Sequence, residues 1–309
     1  MEDRVYGQAI EPGAQLERDL EWVKQEILLE KNPEKKTATI TFNRPDKLNT
    51  TMRSHYIYIG KIMSELNWDD DVKVIIFKGA GRCFGSGHDV GELGTMHGHD
   101  TKGEARRPSQ TERLLVDMGL KDYIYDPVYK SLKTTIAQVH SYCYGYHFQV
   151  AMACDLVICT PDARFTHPGF RYIGPTLDMA LWLQVMGVRR LKEMVLTGKA
   201  FTAEEAMEFG LVNKVVSYDD LEAEVAQMAE AAAAMPLDGI VMGKTFLQGI
   251  IDTAGAGTGE YIGYVGHAMQ TGIHYRSGEF NLLKERRDKG IKGATIGRDK
   301  GRNPEYDLR

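Results

Sequence analysis

The 309-residue sequence lacks an apolar run as long as the ~20 residues that a membrane-spanning helix needs. Its first 22 residues, MEDRVYGQAIEPGAQLERDLEW, contain no apolar segment of the kind found in secretory signals. We therefore expect a cytoplasmic protein that neither spans a membrane nor is secreted.

Cysteine is also scarce. The chain has four cysteines, which lie within or beside apolar runs and form no C-x-x-C pair: Cys83, Cys143, Cys154 and Cys159. This usage argues against a disulfide framework and against a zinc site, since both need closely spaced or regularly paired cysteines. We expect reduced thiols and no bound metal.

An excess of basic charge is missing as well. The net charge is −5 and the pI is near 6.0, which argues against a general nucleic-acid binder. The densest basic stretch lies in the last 26 residues, where acidic residues dilute it, so we interpret it as a solvated tail. A hydrophobic content of 43% and a charged content of 26% are ordinary for a globular protein.

Strand and helix patterns alternate along most of the chain. VKQEILLEK and TATITF predict a hairpin around NPEKK. Apolar residues then recur at helical spacing, at Met52, Tyr56, Ile59, Met63 and Leu66. The run VKVIIF that follows hardly alternates, which is typical of a strand buried on both faces.

The pattern changes near residue 219, after which most of the chain has helical periodicity. Alternating strands and helices followed by a helical third indicate an α/β core with an appended helical region. We predict three parts: an N-terminal extension at 1–23, an α/β core at 24–215, and a C-terminal helical region and tail at 216–309.

A turn rich in glycine, GRCFGSGHDVGELG at 81–94, directly follows the buried strand. Its glycine spacing does not fit the G-x-G-x-x-G motif of dinucleotide-binding folds. It matches a G-x-C-x-G nucleophile elbow at Cys83, but KGAG separates the strand from the cysteine, so we interpret Cys83 as a small buried hydrophobe. The third interpretation is that backbone N–H groups of this turn, with those of the second turn CYGYH at 143–147, converge on a developing negative charge.

Several segments resemble the enoyl-CoA hydratase/isomerase (crotonase) superfamily. They are TFNRPDKLN, VIIFKGAGRCFGSGHD, VHSYCYGYHFQVAMACDLVICTPDARF and LTGKAFTAEEAMEFGLVNKVV, and the match is collinear over roughly residues 24–287. The resemblance implies a crotonase (ClpP-like) fold of repeated ββα turns, with C-terminal helices that form trimers, often paired into hexamers. It also implies an acyl-CoA substrate whose thioester carbonyl becomes an enolate, with coenzyme A as part of the substrate and no separate cofactor.

The resemblance assigns roles to the two turns. The two amides of the family's oxyanion hole fall on Ser86 and Tyr146. The segments that bind coenzyme A fall on Lys47 and Leu48, and on Ser86, Gly87, His88 and Asp89. Asp89 is expected to hold its own loop through backbone hydrogen bonds rather than to act as a base.

The sequence departs from the family pattern where a hydratase has its two catalytic glutamates. These positions carry Gln149 and Gly169 here, and glutamine is not ionised at neutral pH. The candidates for proton or water handling are His88 in the first turn, His167 two residues before position 169, and Asp178 after a GPT turn. Gln149 could position water or a carbonyl.

We expect an acyl-CoA enzyme that stabilises a thioester enolate, with hydration or isomerisation of an enoyl-CoA as the default reaction. Hydrolytic C–C (ring) cleavage, decarboxylation and thioester hydrolysis stay open, because they share the enolate and differ in the proton donor or nucleophile. A further alternative is a non-catalytic protein that binds acyl-CoA or assembles with partners. The expected partners are the acyl-CoA and other copies of the chain, as a homotrimer or a dimer of trimers.

Overall fold

The structure, a computed structural model, describes residues 20–92, 109–121, 125–168, 179–269 and 275–299. Its strands are β1 (Ile27–Asn32), β2 (Thr37–Phe42), β3 (Val74–Gly79), β4 (Thr134–Val139), β5 (Tyr142–Tyr144), β6 (Leu156–Cys159), β7 (Arg164–Thr166), β8 (Phe201–Thr202) and β9 (Lys214–Val215). Its helices are α1 (Leu20–Glu26), α2 (Arg53–Asn67), α3 (Gln110–Leu120), α4 (Asp126–Tyr129), α5 (Tyr146–Ala153), α6 (Met179–Thr197), α7 (Ala203–Glu208), α8 (Tyr218–Ala233), α9 (Leu237–Thr253), α10 (Ala256–Ala268) and α11 (Leu282–Asp299).

The strands form two sheets. The larger sheet has the order β1-β2-β3-β4-β6-β9, in which β1 and β2 are antiparallel and the other neighbours are parallel. The smaller sheet has the order β5-β7-β8, with β5 and β7 parallel. Parallel neighbours need crossover connections, and α2 and α5 lie in two of these crossovers. The predicted α/β fold class is confirmed.

Both faces of the larger sheet are buried, as the unbroken apolar run in β3 predicted. Ile75 and Phe77 point into the main core, which contains the buried face of α2. Val74 and Ile76 point to the other face, where they meet α8. Burying a side chain of this size stabilises the fold by about 1.5–3 kcal/mol, so β3 is a central support for the turn that follows it.

The N-terminal hairpin begins later than the sequence pattern predicted. Residues 23–26 belong to α1, and β1 starts only at Ile27. Val23 and Ile27 are both fully buried, whereas Gln25 between them is exposed. A strand would place all three on one face, whereas a helical turn places only the residues four apart on one side. The predicted strand at TATITF coincides with β2, and the five predicted residues on the apolar face of α2 or at its N-cap are all buried.

The C-terminal third is helical, as predicted. The larger sheet ends at β9, and α8, α9, α10 and α11 follow it. In the described ranges, no helix combines the length and hydropathy that crossing a membrane requires.

Candidate active site

The first glycine turn lies beside the segment that leads to the second. The Gly85 N–H donates to the Tyr142 carbonyl at 2.8 Å, and the Tyr144 N–H donates to the Gly85 carbonyl at 3.0 Å. These bonds continue the parallel alignment of β3 and β4 beyond the ends of both strands. The two turns predicted to act together are therefore adjacent.

A buried amide side chain fixes the shape of the first turn. The Asn49 Nδ2 group donates to the carbonyls of Ala80 and Cys83 at 2.9 and 2.8 Å, and Asn49 Oδ1 accepts from the Arg44 N–H at 2.9 Å. Asn49 is 1% exposed, so these bonds are shielded from water. The turn is thus held by a residue more than 30 positions earlier in the chain.

Backbone meets backbone where the two turns touch. Gly87 has φ +99°, and a Cβ there would lie 3.1 Å from the Tyr144 carbonyl oxygen. Gly145 has φ +57°, and a Cβ there would lie 3.2 Å from the Gly87 Cα and 4.0 Å from the His88 nitrogen. Only glycine adopts these conformations and permits this approach without strain. We call this contact between Gly87 and Gly145 the glycine junction.

The Ser86 amide does not have the role that the resemblance implied. Its N–H donates to the Leu48 carbonyl at 3.0 Å, and its hydroxyl donates to the same oxygen at 3.1 Å. This N–H is therefore already engaged and is not presented to a thioester oxygen, which corrects the prediction for Ser86.

Two other N–H groups flank the glycine junction. Those of His88 and Tyr146 have no hydrogen-bond acceptor among the residues that the structure describes. Tyr146 is the first residue of α5, where helix geometry leaves N–H groups without intrahelical partners. The predicted donor at Tyr146 is thus retained, and His88, two residues after Ser86, presents a second.

The two segments predicted to bind coenzyme A lie side by side. Besides the contact of Ser86 with Leu48, the Thr51 N–H donates to the Gly87 carbonyl at 3.0 Å and the Asp89 N–H donates to the Thr51 carbonyl at 2.7 Å. Lys47, which precedes Leu48, is exposed at the surface.

The Asp89 carboxylate holds its own loop. Asp89 Oδ1 accepts the Gly91 N–H at 2.8 Å, and Asp89 Oδ2 lies 3.4 Å from Arg44 Nη1. Asp89 thus makes a backbone hydrogen bond within its own loop, as predicted.

The His88 side chain joins Tyr56 to Glu92. His88 Nδ1 lies 2.5 Å from the Tyr56 hydroxyl, and His88 Nε2 lies 3.0 Å from Glu92 Oε2, an ion-pair distance without the angle of a hydrogen bond. Burial alone would raise the pKa of Glu92, but the contact with His88 and the Arg53 N–H hold that pKa below its ordinary value. Burial raises the pKa of the Tyr56 hydroxyl well above its ordinary value.

Gln149 and His167 are brought together, as expected of two residues at one pocket. Their Nε2 atoms are 3.4 Å apart, and the His167 ring packs on the fully buried Trp182 with centroids 5.1 Å apart. Burial, followed by the nearby His267, lowers the pKa of His167, so its ring is neutral at neutral pH. Asp178 and Gly169 lie outside the described residues.

A histidine–aspartate pair lies on the helices near this second group. His267 Nδ1 on α10 is 2.8 Å from Asp117 Oδ1 on α3, and Asp117 is fully buried. Because these two residues are 150 positions apart in the chain, no local sequence pattern could predict the pair. Tyr56 and Glu92 were also missed: Tyr56 matched the apolar face of α2, and Glu92, inside the turn at 81–94, was given no role by its spacing or by the resemblance.

The Cys83 thiol has the properties of a core residue. It is 1% exposed, and burial raises its pKa to about 11, so it is not a thiolate at neutral pH. Across the described ranges, no group of three or more His, Cys, Asp or Glu side chains is placed to hold a metal ion.

Comparison with known proteins shows which family the chain resembles. The family model described as enoyl-CoA hydratase/isomerase matches residues 33–256. The chain is 30% identical over 221 residues to a 4-chlorobenzoyl coenzyme A dehalogenase of Arthrobacter sp., covering 69% of this chain and 72% of the relative. It is 29% identical over 206 residues to the peroxisomal Delta(3,5)-Delta(2,4)-dienoyl-CoA isomerase of Arabidopsis thaliana, covering 66% and 74%.

A solved structure supports the same fold. The crystal structure of an enoyl-CoA hydratase from Mycobacterium smegmatis aligns with a TM-score of 0.78 at 23% identity, covering 91% of this chain and 97% of that one. The α/β architecture with its parallel sheet is thus the crotonase fold. The match of the family model over most of the chain shows that this protein belongs to the enoyl-CoA hydratase/isomerase family.

Proposed function

We propose that this chain is an acyl-CoA enzyme that stabilises a thioester enolate with the backbone N–H groups of His88 and Tyr146. The observation that carries the proposal is the placement of these two N–H groups at the glycine junction, without an acceptor in the described part of the chain. The Tyr146 N–H also lies at the N-terminus of α5, where the helix dipole favours negative charge. Fixed donors of this kind stabilise an oxyanion by roughly 3–4 kcal/mol each.

We assign the binding of the coenzyme A portion to the two paired backbone segments. The residues proposed to bind this portion of the substrate are Lys47, Leu48, Ser86, Gly87, His88 and Asp89. The support for this assignment is the hydrogen-bonded pairing of the segments, in which the exposed Lys47 directly precedes Leu48, the acceptor of the Ser86 N–H.

The handling of protons and water is assigned to His88, Gln149 and His167. His88 is chosen because its imidazole lies between the Tyr56 hydroxyl and the Glu92 carboxylate, and a side chain with two polar neighbours is well placed to take and return a proton. Gln149 has no ionisable group and is proposed to orient water or the acyl carbonyl. The neutral His167 ring next to Gln149 is proposed to accept a hydrogen bond from that amide. Asp178 stays a prediction.

Hydration or isomerisation of an enoyl-CoA is the reaction class that family membership favours. Hydrolytic C–C cleavage and decarboxylation remain alternatives because each passes through a thioester enolate. Thioester hydrolysis remains one because its tetrahedral oxyanion would use the same two donors. A second candidate function is acyl-CoA binding or assembly without turnover. The amide of Gln149, where the family pattern predicts a carboxylate, favours that candidate.

Exchange of α-protons tests the proposal without assuming a reaction. Butyryl-CoA is incubated with the protein in D₂O, its α-deuteration is followed by NMR, and its binding is measured by calorimetry. We expect binding with exchange, and crotonyl-CoA hydration as a further activity. Binding without exchange or turnover supports the non-catalytic candidate, and absence of binding contradicts both.

The Tyr146 N–H is tested by a matched pair of variants. Tyr146→Pro removes this N–H at the first position of a helix, where proline is well tolerated, whereas Tyr146→Ala keeps it and removes the same ring. We expect exchange about 100-fold slower in the proline variant than in the alanine variant, at similar acyl-CoA affinity. Equal rates in the two variants would contradict a role for this amide.

We also propose that the chain assembles into a homotrimer or a dimer of trimers. Met242, Phe246 and Ile250 follow one another at intervals of four on α9 and are 72%, 73% and 51% exposed. They line an open groove of about 910 Å³ that is mainly apolar. Contiguous apolar surface of this kind is typical of protein interfaces, and a further copy of the chain is the proposed occupant.

A further inference from the structure

The His147 side chain lies directly beneath the glycine junction. It is the second residue of α5 and is 0% exposed. Its Nδ1 atom accepts the Gly87 N–H at 3.1 Å. The two residues are 60 positions apart in the chain, so this hydrogen bond ties the first turn to the helix that begins the second.

The ring occupies space that a glycine leaves open. A Cβ on Gly85 would lie 2.1 Å from His147 Cδ2 and 2.2 Å from His147 Nε2. On another side, the Phe42 ring packs against the imidazole with centroids 4.4 Å apart. These contacts fix the orientation of the imidazole, and with it the direction in which Nδ1 accepts.

The hydrogen bond requires a neutral ring. Nδ1 can accept an N–H only when it carries no proton, so the ring proton lies on Nε2. Burial, with a smaller effect of His55 on α2, lowers the pKa of His147 to about 3. Among the described residues, the Tyr146 ring also packs on the imidazole with centroids 5.6 Å apart, and the Cys143 thiol donates to the His147 carbonyl at 3.5 Å. Neither of these neighbours is a carboxylate that could stabilise an imidazolium.

We propose that His147 is a positioning residue that sets the geometry of the oxyanion hole. By accepting the Gly87 N–H it fixes the peptide that precedes the His88 amide, while its own neighbour in the chain, Tyr146, supplies the other amide. One buried ring therefore aligns the two donors relative to each other. This inference rests on the proposed function of those donors.

Two substitutions separate the acceptor from the bulk of the ring. His147→Leu fills the site without an acceptor, whereas His147→Asn places an amide oxygen near the Nδ1 position. We expect α-proton exchange of saturating butyryl-CoA to slow about tenfold in the leucine variant, with little change in affinity, because the loss falls on the enolate rather than on binding. The asparagine variant should recover most of this rate.

His140→Asn serves as a control for the loss of a buried histidine. His140 is 6% exposed and its Nε2 contacts the Gly81 carbonyl at 2.9 Å, away from the glycine junction. We expect this variant to exchange at close to the wild-type rate. A leucine variant at the wild-type rate would overturn the proposal, as would an asparagine variant as slow as the leucine variant.

Nuclear magnetic resonance tests the hydrogen bond in the folded wild-type protein, whether or not the leucine variant folds. We expect the ¹⁵N shifts of His147 to report a proton on Nε2 with no titration between pH 5 and 9. Titration near pH 6.5, or a proton on Nδ1, would overturn the proposal. If the shifts are as expected but wild-type protein binds no acyl-CoA, the proposed function fails while the His147–Gly87 bond stands, and the positioning role is then rejected with that function.

Discussion

At the scale of single residues, the shape of the site depends on the sizes of the residues at positions 85 and 147. Gly85 has no side chain and His147 fills the space beside it, with no room for a Cβ between them. A larger residue in one turn therefore requires a smaller residue in the other. This pairing leaves room for a buried histidine at the start of α5.

The contact between Gly85 and His147 predicts that adding one methyl group at position 85 destabilises the fold. Gly85→Ala places a Cβ inside contact distance of the His147 ring, and we expect it to lower the free energy of unfolding by about 1–3 kcal/mol. Chemical denaturation measures the loss, and Gly243→Ala, where nothing lies within 4 Å, is the control. In the background of His147→Ala the same substitution should cost at least ~0.5 kcal/mol less. An unchanged stability of Gly85→Ala contradicts the packing described here.

The buried imidazole also predicts a sensitivity to acid. The pKa of His147 is about 3 in the folded protein and about 6.5 in an unfolded chain. Below pH 6.5 the unfolded state therefore binds more protons, so the stabilisation is complete above that pH and falls as the pH drops towards 3. Between pH 7 and 5 the free energy of unfolding should fall by about 2 kcal/mol more in wild-type protein than in His147→Asn. Equal pH dependence of the two proteins, measured by urea unfolding, would contradict a buried neutral histidine.

At the scale of secondary structure, periodicity predicted the elements whose burial pattern is regular. The apolar face of α2 and the fully buried β3 were both identified because each follows a single repeat. The prediction was wrong at α1, because the sequence there is compatible with a strand or a helix. The packing of Val23 into the core determines that it is a helix.

The candidate site was predicted in outline and corrected in detail. Glycine spacing and the family resemblance located both turns, because a turn needs particular residues at particular positions. They did not show which N–H groups are engaged, since this depends on how Leu48 approaches Ser86 from 38 positions away. The partners of His88 were missed for the same reason: α2 supplies Tyr56 only once the chain has folded.

At the scale of the whole molecule, the C-terminal region supports the site as well as covering the sheet. Arg286 on α11 donates to the carbonyls of Val90 and Gly91 at 2.7 and 3.0 Å. These carbonyls follow Asp89 directly, so the last described helix helps to hold the loop that carries His88. The helical region is thus linked to the candidate site by hydrogen bonds as well as by its position in the chain.

The same region gives the prediction that concerns assembly. Phe246 is 73% exposed at the centre of the apolar row on α9, so a charge there opposes burial against another copy of the chain. We expect wild-type protein to elute with three or six times the chain mass of 34.7 kDa in light scattering, and Phe246→Glu to dissociate towards one chain mass. Trp68→Glu, at an 88% exposed residue just after α2, is the matched control and should leave the mass unchanged. A wild-type protein of one chain mass, or an assembly unaffected by Phe246→Glu, would contradict the use of this face for assembly.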